Sequence, residues 1–431
     1  MRILTKRTVV PLLFVAAALP AQTPRQTKVL VPAAVLDGIS SSSHRDWIVV
    51  VANGTITYAG PSVGAQLPAN AVRIELPGLT LLPGLIDAHV HLFLHPYNEA
   101  QWDDQVLREP IALRVARATA HARNTLLAGF TTVRDLGTEG AGYADEGLKQ
   151  AIDAGIIPGP RLLISSKAIV ATGSYAPART RYAYEVPIGA DEADGAALQR
   201  VIREQIGHGA DWIKLYGDYR WGTGGEARPT FSTDEMKLAA ATAHDSGREL
   251  VVHAATPEGM RRAVLAGAKT IEHGDEGTPE VFRLMARSGT AFCPTLAATE
   301  AVQSYRGWRK GADREPEAIT RKRNAFASAL AAGVTICTGS DAGVFTHGDN
   351  VRELELMHEY GMKVPDVLRS ATSGTAKILG LANRVGRIAA GMEADIIAVA
   401  GNPATSLSAL RAVRFVMKQG VVYRSDLSPQ R

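Results

Sequence analysis

The feature that most constrains this chain is a regular alternation of strand-like and helix-like segments through its middle. Short apolar runs, such as residues 130–133 and 212–216, alternate with amphipathic stretches such as residues 111–127. Counting them gives eight strands, each followed by a helix, which predicts an α/β fold of the distorted (β/α)8 TIM barrel type with its active site at the carboxyl ends of the strands. An open doubly wound sheet is the alternative, but no glycine-rich phosphate loop follows the first strand.

Both ends of the chain carry short alternating β segments instead. Asn53-Gly54 separates two β-rich runs, a combination that predicts a hairpin. Similar runs return at residues 394–399, 413–417 and 421–423. We therefore expect a small β-sandwich domain formed from both chain ends, residues 27–82 and 385–424, with the barrel spanning residues 83–384.

The N-terminus has the pattern of an export signal. Three basic residues precede an apolar run at residues 9–19, which is too short to span a bilayer comfortably, and small residues follow it. We predict a signal peptide over residues 1–21 and a periplasmic or secreted protein with no membrane attachment after cleavage; an uncleaved anchor or a disordered start is the alternative. Cleavage lowers the formal charge from +4 to +1, and without a basic stripe we expect no nucleic-acid partner.

Two histidines, His89 and His91, stand one residue apart at the end of the first predicted strand. Alternate side chains of a strand share a face, so both imidazoles can reach one metal ion. On its own this pair fits two surface or satisfied histidines equally well. What strengthens the metal interpretation is a set of ionisable residues at the ends of the fourth, fifth, sixth and eighth strands, namely Lys214, His253, His273 and Asp341.

Each of these later residues has an ordinary alternative. His253 and His273 could be core histidines, and Asp341 could cap a helix. Together they fit a metal site, because neutral imidazoles and a carboxylate are good ligands for a divalent ion such as zinc. Lys214 fits only if its amine is neutral and adds carbon dioxide to form a carbamate; otherwise a salt bridge to Asp341 in a mononuclear site would explain it.

Several sequence motifs accompany these residues. They lie at residues 83–91, 131–135, 209–214, 252–254, 271–274, 339–343, 347–350 and 391–396. Through these motifs the chain resembles members of the amidohydrolase superfamily. The resemblance is to the branch that contains imidazolonepropionase-like enzymes, metal-dependent dipeptidases of the Xaa-Pro type and ochratoxin hydrolases. It spans residues 27–423.

This resemblance implies two divalent metal ions, for which we expect zinc. One ion would be held by His89, His91 and Asp341 and the other by His253 and His273, with N6-carboxylated Lys214 and a hydroxide bridging them. Two ions can lower the pKa of a bridging water and polarise a carbonyl group. We expect Asp341 to take the proton of the attacking hydroxide and pass it to the leaving amine.

The resemblance also implies a substrate class. Related enzymes remove a C-terminal residue from dipeptides or N-acyl amino acids, and some hydrolyse ochratoxin, an amide of phenylalanine. We therefore expect an exported binuclear amidohydrolase acting on a small amide next to a C-terminal amino acid, with N-acyl-phenylalanine compounds of the ochratoxin type included. The alternatives are a cyclic-amide hydrolase, a mononuclear deaminase, or a solute-binding or scaffold barrel without activity.

A substrate of this class carries a free carboxylate, which cations or phenols at the barrel mouth can bind. The candidate substrate-binding residues are Tyr216, Tyr219, Arg220, His347 and His95, and residues 217–229 form a candidate mobile lip. Ordinary loop surface explains the same residues. We further expect a homo-oligomer, and two buried free thiols at Cys293 and Cys337, with a disulfide as the alternative.

Overall fold

The computed structural model describes residues 26–177, 182–221 and 225–426. The predicted signal peptide lies outside these ranges. Within them, every helix is too short or too polar to cross a membrane.

The described chain begins and ends with strands and alternates strands with helices between them. The strands are β1 Lys28–Val35, β2 His44–Arg45, β3 Trp47–Ala52, β4 Thr55–Pro61, β5 Val72–Pro83, β6 Leu85–Val90, β7 Phe130–Asp135, β8 Arg161–Ile164, β9 Ile169–Val170, β10 Asp191–Glu192, β11 Trp212–Tyr216, β12 Asp218–Arg220, β13 Ala227–Pro229, β14 Glu249–Ala254, β15 Thr270–His273, β16 Ala291–Cys293, β17 Ile396–Ala400, β18 Val413–Lys418 and β19 Val421–Ser425. The helices are α1 Trp102–Arg108, α2 Ile111–Leu127, α3 Ala144–Asp153, α4 Leu198–Gly207, α5 Thr233–Asp245, α6 Pro257–Leu265, α7 Pro279–Ser288, α8 Leu296–Tyr305, α9 Glu317–Ala331, α10 Val351–Glu359, α11 Val364–Arg369 and α12 Thr375–Ile378.

The two chain ends meet in one eight-stranded sheet with the order β19-β18-β17-β5-β1-β3-β4 and with β2 paired to β1. The predicted hairpin at Asn53-Gly54 is confirmed, because β3 and β4 pair antiparallel and both turn residues have positive φ, 51° and 84°. Leu30, Ile56 and Phe415 are among the side chains buried in the core of this sheet. The domain boundaries remain a prediction.

The middle of the chain forms parallel strands with helices between them. β6, β7 and β8 form one sheet, and β10-β9-β11-β14-β15-β16 form the other. Backbone hydrogen bonds join the two sheets at two places: Asp211 N, next to β11, donates to Ile164 O at the end of β8, and residues 335–342 bridge β16 to β6. All strand ends that carry the candidate ligands therefore lie on one side of the molecule.

Helix starts on that side have clear sequence causes. Ser232 caps α5 through a reciprocal capping box with Glu235, while Thr256 and Thr278 cap α6 and α7 ahead of a proline in the first turn. Such caps satisfy backbone N–H groups that have no partner within the helix. The starts of these three helices therefore follow from a polar residue placed just before each of them.

Three segments depart from a regular alternation of strands and helices. β16 ends at Cys293, because Thr295 adopts a positive φ of 51° and α8 begins directly after it. Residues 335–338 form bridges, not a regular strand. Within the expected lip, β12 and β13 pair as an antiparallel hairpin.

The expectation of two free thiols is wrong, since Cys293 and Cys337 form a disulfide across 44 residues of sequence. Cys337 N donates to Phe292 O, so the two cysteines lie on neighbouring strand positions with their Cα atoms 4.8 Å apart. That separation lies within the range a disulfide requires. The bond joins residues 335–338, which occupy the position of the eighth strand of the predicted barrel, to β16.

Candidate metal centre

Three side chains meet in one buried cluster. Two come from the end of β6, the first strand of the predicted barrel, and one comes from the segment after residues 335–338, its eighth strand position. His89 Nε2 lies 3.7 Å and His91 Nε2 lies 3.4 Å from Asp341 Oδ1. The candidate ligand atoms of the three residues all lie within 4.8 Å of one another. Two imidazoles and a carboxylate at this spacing are a donor set that a divalent metal ion accepts.

Hydrogen bonds on the far side of each ring orient the two histidines. His91 Nδ1 donates to Gly137 O at 2.9 Å, and His89 Nδ1 donates to Glu272 Oε2 at 2.8 Å. With Nδ1 protonated, each ring presents the lone pair of Nε2 to the cluster. Arg134 Nη2 holds the other oxygen of Glu272 at 3.0 Å, which fixes this carboxylate in turn.

Asp341 is held in an unusual backbone conformation with φ 63°. Its N–H donates to His89 O at 2.7 Å. One residue earlier, the N–H and hydroxyl of Ser340 donate to Asp87, which also accepts from Asn350 Nδ2. The carboxylate of Asp87 therefore locks the eighth strand position to the first and sets where Asp341 lies.

Two further histidines come from β14 and β15, the fifth and sixth strands of the predicted barrel. The ring centroids of His253 and His273 lie 4.3 Å apart, and His273 lies 5.0 Å from His89. His273 has φ 74°, and its Nδ1 bonds to Thr295 Oγ1 at 2.9 Å. Lys322 from α9 donates to the main-chain oxygen of His273 at 2.9 Å and to Thr295 Oγ1 at 3.3 Å.

Lys214 lies between these groups with no exposed surface, and its Nζ has no hydrogen-bond partner in the part of the chain that the structure describes. Burial lowers its pKa to about 8, although Glu272 and Asp341 act in the opposite direction. With this pKa, roughly one tenth of the amine is neutral at pH 7, far more than for an exposed lysine. That is the form that can add carbon dioxide.

Burial also sets the charge of the candidate ligands. It raises the pKa of Asp341 to about 6, with His91 and Lys214 acting in the opposite direction. It holds the pKa values of His89, His253 and His273 well below the ordinary value. These three imidazoles are therefore neutral, as metal ligation requires, and His89 Nε2, which has no hydrogen-bond partner among the described residues, is available to a metal ion.

Of the predicted substrate-binding residues, two tyrosines lie beside the centre. Tyr216 is buried and stacks on His253 with centroids 4.5 Å apart. Tyr219 lies 6.1 Å from His253, tilted against it. Arg220 follows at the exposed end of β12.

The other two predicted residues make bonds elsewhere. Buried His347 donates from Nε2 to Leu94 O at 3.1 Å and stacks on His121. His95 lies between two carboxylates, with Nδ1 3.0 Å from Glu99 and Nε2 2.8 Å from Glu109. His347 also interacts with the main chain of His91, whereas the contacts of His95 are with Glu99 and Glu109. Substrate binding by either residue stays a prediction.

Several residues of the site were not predicted. Glu272 lies in a motif but had no role assigned, and it orients His89. Lys322 looks like any surface lysine of an amphipathic helix, yet it is buried. Glu139, in the loop after β7, is buried with φ 49° and has Oε1 4.0 Å from His91 Nδ1. The pair of glycines around it, Gly137 and Gly140, is the only sequence signal of this tight loop.

Comparison with known proteins places these features in context. The amidohydrolase family model matches residues 80–424. Ochratoxinase of Aspergillus niger is 28% identical over 418 residues, which cover 88% of this chain and 83% of that protein. A solved Xaa-Pro dipeptidase with bound methionine in its active site is 31% identical with a TM-score of 0.81, and the match covers 93% of this chain and 100% of that one. A prolidase complexed with N-methylphosphonate-L-proline is 27% identical with the same TM-score and coverage. These likenesses confirm the predicted fold class.

Proposed function

This chain belongs to the amidohydrolase family and is a metal-dependent hydrolase of C–N bonds, and we propose that it cleaves the amide bond next to a C-terminal amino acid. The substrates would be dipeptides or N-acyl amino acids. The observation that carries this proposal is the buried His89, His91 and Asp341 cluster at the ends of parallel strands. The similar proteins also support this substrate class, since they include a Xaa-Pro dipeptidase and an ochratoxinase.

We propose two ions at the centre, most simply zinc. His89, His91 and Asp341 would hold one ion, His253 and His273 would hold the other, and Lys214, carboxylated on Nζ, would bridge them. Support for the bridge comes from the complete burial of Lys214 and its partnerless Nζ, which an uncharged or carbamate form explains and a free ammonium does not. A mononuclear deaminase would have no need for this lysine.

The chemistry can be divided between the metal and the protein. Bound divalent ions would lower the pKa of water and polarise the carbonyl of the scissile amide. Asp341, whose Oδ1 lies 3.4 Å from His91 Nε2 in the ligand cluster, is placed to accept a proton from the attacking water and to return it to the leaving amine. Tyr216, stacked on His253, lines the wall against which a substrate would lie.

We also propose that the protein is exported, with residues 1–21 as the signal peptide and the periplasm or the extracellular medium as its destination. The disulfide between Cys293 and Cys337 supports an oxidising compartment, because thiols in the cytosol are usually kept reduced.

The test is release of free amino acid from a panel of dipeptides and N-acyl amino acids that vary at the C-terminal residue, ochratoxin A included, with zinc supplied. We expect hydrolysis of several members and two ions per chain by elemental analysis. Hydrolysis of cyclic amides alone, or release of ammonia with one ion per chain, would favour the other amidohydrolase reactions. No turnover across the panel with a fully loaded site would contradict the proposed substrate class.

A further inference from the structure

We infer that Glu139 and the aromatic side chains around it form a subsite for a cationic nitrogen of the substrate. The inference rests on the proposed function and narrows it, since it names a charge that the substrate must carry. It concerns a residue that no motif singled out.

The carboxylate of Glu139 is surrounded by aromatic side chains. Its Oε2 accepts from Tyr175 OH at 2.5 Å and from Trp102 Nε1 at 2.9 Å. Its Oε1 lies 3.5 Å from Tyr216 OH, a long and weak contact. Tyr219 closes the group, with its ring 4.9 Å from that of Tyr175.

Among the described residues, no lysine or arginine contacts the buried carboxylate of Glu139, although Arg114 and Lys214 attract it from a longer range. Its ion pair within these ranges is with His91 Nδ1 at 4.0 Å. That nitrogen is already bonded to Gly137 O. A buried carboxylate without a paired cation is costly to the fold, and the three neutral donors compensate it only in part.

The nearby arginine does not neutralise this charge by contact. Arg114 is buried, but its guanidinium donates to the main-chain oxygens of Phe93, Thr138 and Glu139. These bonds hold the loop in place and keep Glu139 at φ 49°, a conformation that side-chain-bearing residues seldom adopt. Backbone strain kept at such a position is a sign of function.

The subsite lies next to both sets of proposed metal ligands, the one with His91 and the one with His253. Glu139 lies beside His91 on one side, while Tyr216 contacts Glu139 and stacks on His253 on the other. A substrate bound at the centre would therefore lie next to a carboxylate and several aromatic rings, the combination that recognises ammonium and guanidinium groups. The cation could be the free α-ammonium of an unblocked dipeptide or the basic side chain of its C-terminal residue.

Two matched substrate pairs separate these sources. Alanyl-methionine and N-propionyl-methionine differ only in the α-amine, whereas N-propionyl-lysine and N-propionyl-norleucine differ only in the side-chain amine. We expect wild-type kcat/KM to favour the charged member of one pair by about 10- to 100-fold, the range typical of a hydrogen bond to a charged group. The favoured pair identifies the source.

Glu139→Gln should abolish that preference, and Glu139→Asp should retain part of it. A surface control, Glu317→Gln, removes the same charge from the exposed start of α9 and should leave the ratio unchanged. If Glu139 serves only to hold Tyr175 and Trp102, Glu139→Gln lowers kcat/KM for all four compounds equally, which overturns the inference. The wild-type ratios decide the matter even if the variant does not fold, because equal rates within both pairs overturn the inference alone. No hydrolysis of any compound overturns the proposed function as well.

Discussion

The two halves of the candidate metal centre are built differently. His89, His91 and Asp341 lie in one tight cluster, and both imidazoles are fixed by short bonds to Glu272 and Gly137. In the other half, formed by His253 and His273, His253 Nδ1 has no hydrogen-bond partner among the described residues, and its ring is positioned by stacking on Tyr216.

The difference indicates which set of ligands is preorganised for metal binding. The first half has its donor atoms in place because strands one and eight are tied together through Asp87. In the second, His273 depends on a chain of contacts through Thr295 to Lys322 on a distant helix. We therefore expect the first half to bind metal independently and the second to need Lys214 as a bridge.

The largest expected effect lies in the first half. Asp341→Asn should lower kcat by about 10³-fold, because it removes the proposed proton acceptor. Circular dichroism should show an intact fold, and Asp366→Asn, a change at an exposed position on α11, is the matched control. Near-normal kcat in Asp341→Asn would show that this carboxylate only holds metal or structure.

The next change tests the link between the halves. Lys214→Ala should lower the metal content from two ions to about one per chain and reduce kcat by about 10²-fold, since the bridging ligand is lost. Elemental analysis measures the content, and intact mass spectrometry of the native protein tests for one added CO2. Lys418→Ala, at another buried lysine that donates to Gly159 O, controls for loss of a buried amine. Two retained ions would contradict the bridging role.

A smaller effect should be confined to the second half. Lys322→Met removes the donor that holds the main chain at His273 and should weaken binding of one of the two ions by about 10- to 100-fold, as loss of a supporting partner does elsewhere. Metal titration followed by the visible spectrum of the cobalt form measures both affinities. Lys237→Met, at an exposed site on α5, is the control. Equal weakening of both ions would mean that the halves are not independent.

The smallest catalytic effect is expected from the disulfide, which fastens the eighth strand position beside the first half. Replacing Cys293 and Cys337 together by alanine should lower the free energy of unfolding by about 2–4 kcal/mol, the value typical of a closed loop of this length. Denaturant unfolding measures this, while kcat should change less than about threefold if Asp87 and Ser340 alone position Asp341. A large loss of kcat would assign the positioning to the disulfide.

Local patterns predicted most of the scaffold. The hairpin at Asn53-Gly54 follows from two residues that tolerate positive φ. The shared face of His89 on β6 and His91 just after it follows from the two-residue period of a strand. The proximity of Asp341 to these histidines, 250 residues earlier in the chain, could be expected only from the order of strands around the fold.

What could not be predicted depends on contacts between distant segments. Lys322 belongs to an amphipathic helix whose sequence does not reveal that this one lysine faces inward. Spacing could not decide between thiols and a disulfide for Cys293 and Cys337, because the answer depends on the distance between neighbouring strands. For Glu139, the informative features are its burial and its aromatic neighbours, and neither is visible in the loop sequence.

The sheet shared by the two chain ends has a consequence for the order of folding. β5 pairs with β17, and Thr80 Oγ1 donates to Gly401 O across 321 residues of sequence. During synthesis, β5 emerges from the ribosome long before its neighbour exists and must wait with one edge unpaired. Contacts of such long range form slowly and leave exposed strand edges open to aggregation. A chaperone that keeps the N-terminal strands apart until synthesis is complete would therefore raise the yield of active protein.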